Sequence, residues 1–568
     1  MNACSEEFLE ITPNGALDQS VLATSAGVDA LLIGAYSLID GIDASFGWEA
    51  ATSGWVYGSI RGLEANKGTF SGDQPDINPI QSYSEQPTNP YLNAKWRSCY
   101  EGIGRCNSTI VTAGTALADG NIDQAEHDSF VNQARALRGW YHFELFRLFG
   151  ELSTGLYVPY VDENTVQSEL TNSSDIRPQI IADLDAGTDL PTDMGAIGRF
   201  NKTVSQVFLA KAYMQLYQDY GSALTELNEV VSSGTKPNGE AIGLATTYGE
   251  IFDIENRNFI ESVYTVQYSV NDNSGGRNGG WGEVLNFPYK GGGSPGGCCG
   301  FFTPSQDFVN SFRTDANGLP FLDNSYNDEM VTNDQGVGVA DPFDEYTGQL
   351  DPRLDWSVGR RGIPYWDWGP HTGTDWLRDQ SYSGPYSPKK QVYQQSQEGS
   401  YTEVGNWTSG WTANGYRMIR YADVLLLKAE CEAMEGQDDL GHGEVNQIRA
   451  RAANPAGFVM EDDGVTPAAN YVIAEYPTPP ANADEAMTRI KFERKLELGQ
   501  EGHRYYDLQR WGDVLNPDEL IRIFAYEKSM PWGDLLYGAN AEIGPEDVRF
   551  PIPQRQIDLM LGNLVQNR

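Results

Sequence analysis

Apolar positions follow two different rhythms along this 568-residue chain. From Asp123 to Gly150, in DQAEHDSFVNQARALRGWYHFELFRLFG, Leu137, Tyr141, Leu145 and Leu148 recur at steps of four, four and three, the spacing that lines one face of an α-helix. Gly150 closes that segment. The same rhythm places Val204, Phe208, Ala212 and Leu216 on one face of TVSQVFLAKAYMQLY, and Tyr421, Leu425 and Ala429 on one face of YRMIRYADVLLLKAECEAMEG. Between about residues 232 and 411 the helical period fades. Turn-forming clusters crowd together there (NDNSGGRNGGWGE, KGGGSPGGCCG, RTDANGLP, YSGPYSPKK). Short alternations such as SVYTVQYSV predict a few strands rather than a sheet domain.

The small-large alternation in LAKAYMQLY and LLKAECEAM suits helix hairpins packed as in tetratricopeptide repeats, although no strict 34-residue period survives. The expected fold is therefore mostly α, with degenerate helix pairs of tetratricopeptide type as scaffold over about 26–231 and 412–568. A long loop-rich insertion over about 232–411, holding a few short strands, divides it.

Charge and composition narrow the function. Lys and Arg number 39 against 79 Asp and Glu, a formal charge of −40, which argues against binding nucleic acid or an anionic membrane through the general surface. No apolar run approaches the roughly 18–20 residues of a membrane-spanning helix. Seven of the 13 tryptophans (Trp281, Trp356, Trp366, Trp368, Trp376, Trp407 and Trp411) lie within residues 281–411, among glycines and polar residues that offer little local apolar cover. A flat indole stacks on the axial C–H face of a sugar ring while nearby polar side chains bond its hydroxyls. About half of these rings are expected only to anchor loops. PYWDWG, with Trp366 and Trp368 on one side if extended, is the best single stacking platform.

Motifs for chemistry are sparse. The five histidines show no metal-ligand spacing, and neither a GxSxG elbow nor a phosphate loop is present. GIGRCN, residues 102–107, sits in a helical segment with no preceding strand, so it is not read as a dinucleotide loop. In DNSYNDEMVTND, Asp323, Ser325, Asn327 and Asp334 have the oxygen spacing of a calcium loop but lack the glycine at its sixth position. A structural Ca²⁺ is a weak candidate there, and no other cofactor is expected. Cys99 and Cys106 lie about 10 Å apart along a helix, too far for a disulfide, and read with Cys431 as small buried residues. Adjacent Cys298 and Cys299 allow either a vicinal disulfide or two free thiols.

One stretch remains, RIKFERKLELGQEGHRYYDLQRWGDV from Arg489 to Val514, which sets Glu493, Glu497 and Glu501 four residues apart. A catalytic pair needs one carboxyl kept neutral in an apolar pocket, whereas Arg494, Lys495, Arg504 and Arg510 favour ionised carboxylates. Scaffold is the better reading. The stretch closely resembles the C-terminal signature of the SusD/RagB family, in which a charged helix carrying ER and EL, then EG-x-R, runs into DL-x-RWG. ARALRGWYHFELFRLFG, VSQVFLAKAYMQLY, GFFTPSQDFVNSF, RYADVLLLKAEC, VNQIRARA and FPIPQRQIDLMLGNLVQN extend the resemblance over most of the chain.

The resemblance implies a single SusD-like domain over 26–568 behind a lipoprotein tether over 1–25. Cys4 in NACSEEFLE would be the acylated residue, its signal peptide removed, on the extracellular face of the outer membrane. It further implies a non-catalytic protein that captures oligo- or polysaccharide as the lid of a SusC-like TonB-dependent transporter. The ligand face would combine NKGTFSGDQPDINPIQSYSE, with Asp73 and Asp76, and insertion loops carrying Trp281, Tyr289, Tyr365, Trp366, Trp368, Trp376, Trp407 and Trp411. The negative charge favours a neutral glycan such as the β-glucan laminarin. A surface glycoside hydrolase and a peptide-importing relative are the alternatives.

Overall fold

A computed structural model of the chain describes residues 22–41, 47–289, 291, 293–405, 408–514, 518–538 and 541–568. The expected helices form and others join them: α1 (Ser25–Tyr36), α2 (Pro90–Ala118), α3 (Gln124–Phe149), α4 (Arg177–Ala186), α5 (Lys202–Tyr217) and α6 (Tyr220–Ser233) precede the loop-rich part, and α7 (Tyr421–Met434), α8 (His442–Ala452), α9 (Ala483–Leu498), α10 (Arg504–Arg510) and α11 (Asp518–Lys528) follow it. Their starts are set by side chains that satisfy the first free backbone N–H groups. Asn89 Oδ1 accepts from Tyr91 N at 2.9 Å, Asn201 Oδ1 from Val204 N at 2.9 Å, and Asp123 with Glu126 closes a capping box at α3.

The scaffold is mostly helical and built of consecutive packed pairs, as the periodicity predicts. α2 packs on α3, α3 on α4, α5 on α6, and α7 on α6, α8 and α9. Small residues decide how close these helices come. A Cβ at Gly102 would lie 2.4 Å from the Tyr141 ring, and one at Gly139 would lie 2.9 Å from Leu184 N. The glycine in GIGRCN is thus a packing residue between α2 and α3. Cys99, Cys106 and Cys431 are free and buried. Among the described residues no helix is long and apolar enough to cross a membrane.

Strands are few and short. β1 (Ala65–Gly68) pairs antiparallel with β3 (Phe301–Pro304), β2 (Ser262–Thr265) with β8 (Arg417–Arg420), β4 (Val358–Gly359) with β5 (Ser387–Pro388), and β6 (Thr402–Glu403) with β7 (Trp411–Thr412). The β1–β3 pair matters most, because it ties an N-terminal loop to the middle of the chain.

The carboxylates of the α9 stripe are buried inside this scaffold. Glu493 and Glu497 are 0% exposed and Glu501 3%. Arg353 bonds Glu493 at 2.6 Å, Glu497 at 3.1 Å and Asp351 at 2.7 Å. Arg420 bonds Glu497 at 3.0 Å, Glu501 at 2.6 Å and also Glu261. Arg449 adds Glu493 at 3.0 Å, Arg451 adds Glu261 at 2.9 Å and also Glu497, and Lys390 adds Glu501 at 2.8 Å. Five cations (Arg353, Lys390, Arg420, Arg449, Arg451) therefore meet five anions (Glu261, Asp351, Glu493, Glu497, Glu501), and the cluster is neutral as a whole. Burial alone would raise the Glu497 pKa, but Arg451, Arg420, Arg353 and Lys390 outweigh it and hold the carboxyl below its usual range. Glu501 is lowered in the same way by Arg420 and Lys390. Carboxylates held ionised and dry in this manner are scaffold.

Candidate functional site

The site is assembled where β1 meets β3. Gly68 stands opposite Phe301, with φ of 80°, and a Cβ on it would lie 2.5 Å from Gly300 O. A glycine is therefore required for the N-terminal loop to close on the turn carrying Cys298, Cys299 and Gly300. Thr69 N donates to Gly300 O and completes the seam. Cys298 and Cys299 are joined as a vicinal disulfide beside it.

The loop that follows turns around a single ammonium. Lys67 Nζ donates to the carbonyls of Phe70 at 3.0 Å, Ser71 at 3.4 Å and Asp73 at 2.8 Å, and lies 5.2 Å from the centre of the Tyr382 ring. Burial pulls its pKa down to about 8, with Asp73 opposing the shift. The backbone facing inward leaves the loop's side chains outward: Phe70, Asp73 and Gln74 are half-buried, Ser71 and Asp76 exposed.

Arg378 enters from the loop-rich part. It pairs with Asp73 and donates to Thr69 Oγ1 at 3.2 Å. Its guanidinium lies 4.3 Å from the centre of the Phe70 ring and 5.1 Å from that of Tyr289. Tyr289 N donates to Trp376 O at 2.7 Å, fixing Tyr289 beside the strand of residues that delivers Arg378. The Arg378 and Asp73 side chains are 28% and 26% exposed. An ion pair that open contributes only about 0–1 kcal/mol to folding. Chemically, two half-exposed aromatic rings flank a cation and a carboxylate whose remaining hydrogen-bonding capacity faces water. Such a surface can stack on the C–H face of a sugar ring and bond its hydroxyls.

Of the residues predicted from sequence, Asp73 and Tyr289 meet here, and Asp76 is exposed on the same loop. Trp376 lies behind them, 1% exposed and packed on His371 at 4.8 Å and Tyr365 at 5.3 Å, and Tyr365 is itself 0% exposed. Neither ring offers a face to solvent, so both correct the expectation that they stack on a ligand. Their size and apolarity are used to close a small core with Phe287, Val392 and Tyr393.

The extended geometry expected of PYWDWG is also replaced. Tyr365 N donates to Gly369 O at 2.9 Å and Trp368 N to Tyr365 O at 3.1 Å, so the segment is a tight turn with Trp366 in the left-handed region at φ 51°. The two rings part company: Trp366 packs on Trp356 at 5.1 Å, whereas Trp368 packs on Tyr393 at 5.8 Å and donates its indole N–H to Tyr393 O. Both stay half-buried. Trp281 and Trp411 form a separate aromatic stack, 5.2 Å apart, which Trp48 extends at 6.2 Å from Trp281. Trp411 is clamped between Gly276 and Gly405, where a Cβ would come within 2.2 and 2.4 Å of the indole. Trp407 and Cys4 lie outside the described residues.

The calcium pattern does not converge. Asp323 accepts from Ser325 Oγ at 2.6 Å, Asn327 Oδ1 accepts from Asn310 at 2.8 Å, and Asp334 accepts from Gln380 at 3.0 Å. Each of these three oxygen ligands is held by a different neighbour, and among the described residues no group of three His, Cys, Asp or Glu is placed to hold a metal ion. The missing glycine at the sixth position is the sequence signal of that failure.

Sequence reasoning missed Phe70, Lys67 and Arg378. Phe70 was legible as an aromatic set among glycines and polar residues in NKGTFSGDQ. Nothing local marks Arg378, which acquires its role from the chain crossing that brings it to Asp73. A cavity of about 690 Å³ is lined by other elements, among them Trp96, Tyr100, Pro159, Met560 and Leu564.

Two family models match the chain: one described as the SusD family over residues 260–568, and one described as starch-binding, associating with the outer membrane, over residues 7–214. SusD-like protein P2 of Formosa agariphila is 23% identical over 538 residues, 91% of this chain and 90% of that protein. Among solved structures, surface glycan-binding protein A from Bacteroides thetaiotaomicron in complex with laminarihexaose superposes with a TM-score of 0.66 at 20% identity, covering 96% of this chain and 99% of that one. A laminarin-binding SusD-like protein superposes with a TM-score of 0.64 at 21% identity, again covering 96% and 99%.

Proposed function

The chain belongs to the SusD/RagB family, and from that premise we propose that it binds oligo- or polysaccharide at the cell surface without altering it, and hands it to a SusC-like TonB-dependent transporter. The carrying observation is the junction of the N-terminal loop with the loop-rich part, where Phe70 and Tyr289 flank the exposed Arg378–Asp73 pair. A binder of this kind works by raising the local concentration of ligand beside other components of the same membrane. Acylation of Cys4 would hold it on the extracellular face of the outer membrane, with two or three acyl chains giving a stable anchor.

A neutral β-glucan such as laminarin is the first substrate class to test. Two observations support it: the formal charge of −40 disfavours polyanionic glycans, and two of the fold neighbours are described by the laminarin-type ligand they bind. Asp73 is engaged by Arg378 and Thr69, which favours an ionised carboxylate over the neutral general acid that glycoside hydrolysis requires and supports binding.

The test is affinity electrophoresis and calorimetry of the purified protein against laminarin, mannan, levan and alginate, with chain lengths checked after prolonged incubation. Retardation by a neutral glycan of unchanged length is expected. Shortened chains would identify a hydrolase. Silence across the panel would overturn glycan binding and turn attention to peptide ligands.

A further inference from the structure

α9 and the residues after it line a second feature that the glycan reading does not use, a cavity of about 220 Å³ closed on its other side by Leu322, Asn324 and Tyr326. In a chain with twice as many acidic as basic residues, its wall carries Lys491, Lys495 and Arg504 between Phe492 and Trp511. Most charges around it are matched. Lys491 pairs with Asp513 at 3.1 Å, Lys495 with Asp307 at 2.7 Å, and Glu519 with Arg522 at 2.9 Å.

Arg504 differs. It is 7% exposed, and among the described residues its guanidinium makes no hydrogen bond or ion pair; it stands 5.9 Å from the Trp511 ring. Glu64, the carboxylate that feels its charge, takes its hydrogen bonds on one oxygen, Oε1, from Gln500 N at 2.8 Å and from Ser59, and makes no ion pair with Arg504 among the described residues. The same wall holds a buried donor without an acceptor, Trp511 Nε1. A guanidinium that lines a cavity without a carboxylate partner keeps its donors available to a ligand. Neighbouring arginines in this chain, Arg494 and Arg510, each have their own carboxylate partners.

We propose that this cavity binds a small carboxylate ligand, the carboxylate docking on Arg504 with its body against Trp511 and Phe492. A guanidinium fork matches a carboxylate with two parallel N–H donors. The volume lies below the roughly 300–1,000 Å³ of sites for drug-sized molecules, so the ligand is a single small acid. It is either a free organic acid or one uronic acid residue. Asp513 and Glu519 on the rim are held by Lys491 and Arg522 and limit the site to monoanions.

The test uses the intact protein at constant ionic strength. Sodium glucuronate, sodium acetate and glucose are titrated by calorimetry and thermal shift, and the Trp511 indole N–H signal, assigned with Trp511→Phe, is followed by NMR. Saturable glucuronate binding that moves the Trp511 signal is expected, with glucose inert. Arg504→Gln should weaken it at least tenfold and Arg504→Lys by less, while laminarin binding stays as in the wild type. Acetate binding as tightly as glucuronate would assign the site to free acids; a clear preference for glucuronate would assign it to sugar acids. Because Arg504 is buried, the rim variant Lys491→Met supplies a second check and should weaken glucuronate several-fold. No saturable binding of either acid, or binding that leaves the Trp511 signal unmoved, would overturn the proposal.

Discussion

The chain uses the pairing of arginine with carboxylate in two places with opposite consequences. Around Glu497 three arginines and a lysine converge in a dry, neutral cluster that ties α9 to the residues on either side of it. At the surface, one arginine and one aspartate meet between two half-exposed rings. Burial separates the two roles. A charge that has lost its water depends wholly on its partners, so removing one is severe. A pair still in water is worth little to the fold and keeps unused hydrogen-bonding capacity for something that arrives later.

The largest expected effect breaks the buried half of the comparison. Glu497→Gln leaves Arg353, Arg420 and Arg451 without their shared anion and should destabilise the protein by about 3–5 kcal/mol. Urea denaturation checks it. A loss below about 1 kcal/mol would mean that the cluster is as replaceable as the surface pair.

The same burial predicts how stability depends on acid. His142 is buried, and burial lowers its pKa to about 4; it accepts from Val161 N at 3.1 Å on one nitrogen and faces Arg138 O at 3.0 Å on the other. His503 is likewise pulled down by burial, to about 4. The unfolded chain takes up these protons near pH 6.5 and the folded chain does not, so stability is present above about 6.5 and is lost as pH falls toward 4. Each contributes up to about 3 kcal/mol of that loss. Glu497 extends the acid limb, because its folded pKa is lowered and its contribution disappears as pH falls below the usual carboxylate range. Within the same window Glu527, raised to about 8 by burial, acts in the opposite sense: its contribution is full below about 4.5 and is lost as pH rises through 8, so it offsets part of the histidine loss. Between pH 4 and 6.5 the denaturation midpoint of His142→Gln should fall less with acid, relative to pH 7, than that of the wild type, which shifts the slope by the histidine's share. An unchanged slope would remove His142 from the account.

How far this division could be seen in the sequence differs between its halves. The α9 stripe was legible as scaffold because helical spacing puts Glu493, Glu497 and Glu501 on one face with basic residues close by. Its distant partners Arg353 and Arg420 were not, since each lies far from the stripe in the chain and only the fold brings it there. Helices were legible for the same local reason. The surface site was legible only as a loop, through Asp73, Asp76 and a glycine-rich setting. The tryptophans misled in part: an aromatic among glycines reads as exposed, yet Trp376 and Tyr365 bury against each other and His371 to give the loops a core. Local sequence reports which rings lack neighbours in the chain, whereas the fold decides which find neighbours in space.

Smaller effects sharpen the exposed half. Tyr289→Ala and Arg378→Ala should each weaken glycan binding by about 1–3 kcal/mol, the range of a contact at the centre of a ligand site, with denaturation midpoints shifted little for Arg378→Ala. Trp368→Ala should disturb packing on Tyr393 and leave affinity within about 0.5 kcal/mol, because its indole N–H is already spent on the backbone. Calorimetry with the glycan identified by the panel measures all three. A Trp368 variant that binds more weakly than Tyr289→Ala would move the ligand away from the Arg378 junction.

The smallest expected change is the most discriminating. Asp73→Asn keeps the size of the side chain and its ability to accept from Thr69 and Arg378, and removes one half-exposed charge. Its effect on folding should stay below about 1 kcal/mol, several times less than Glu497→Gln. Binding should still fall, because a carboxylate accepts more strongly from a sugar hydroxyl than an amide oxygen does. Lys67 keeps the loop in place in this variant, since it is bound by the Asp73 carbonyl and not by the side chain. A variant that loses affinity at nearly full stability would show Asp73 available to ligand. One that loses both together would make the Arg378–Asp73 pair a strut of the fold, and the contrast with the buried cluster would collapse into a difference of degree.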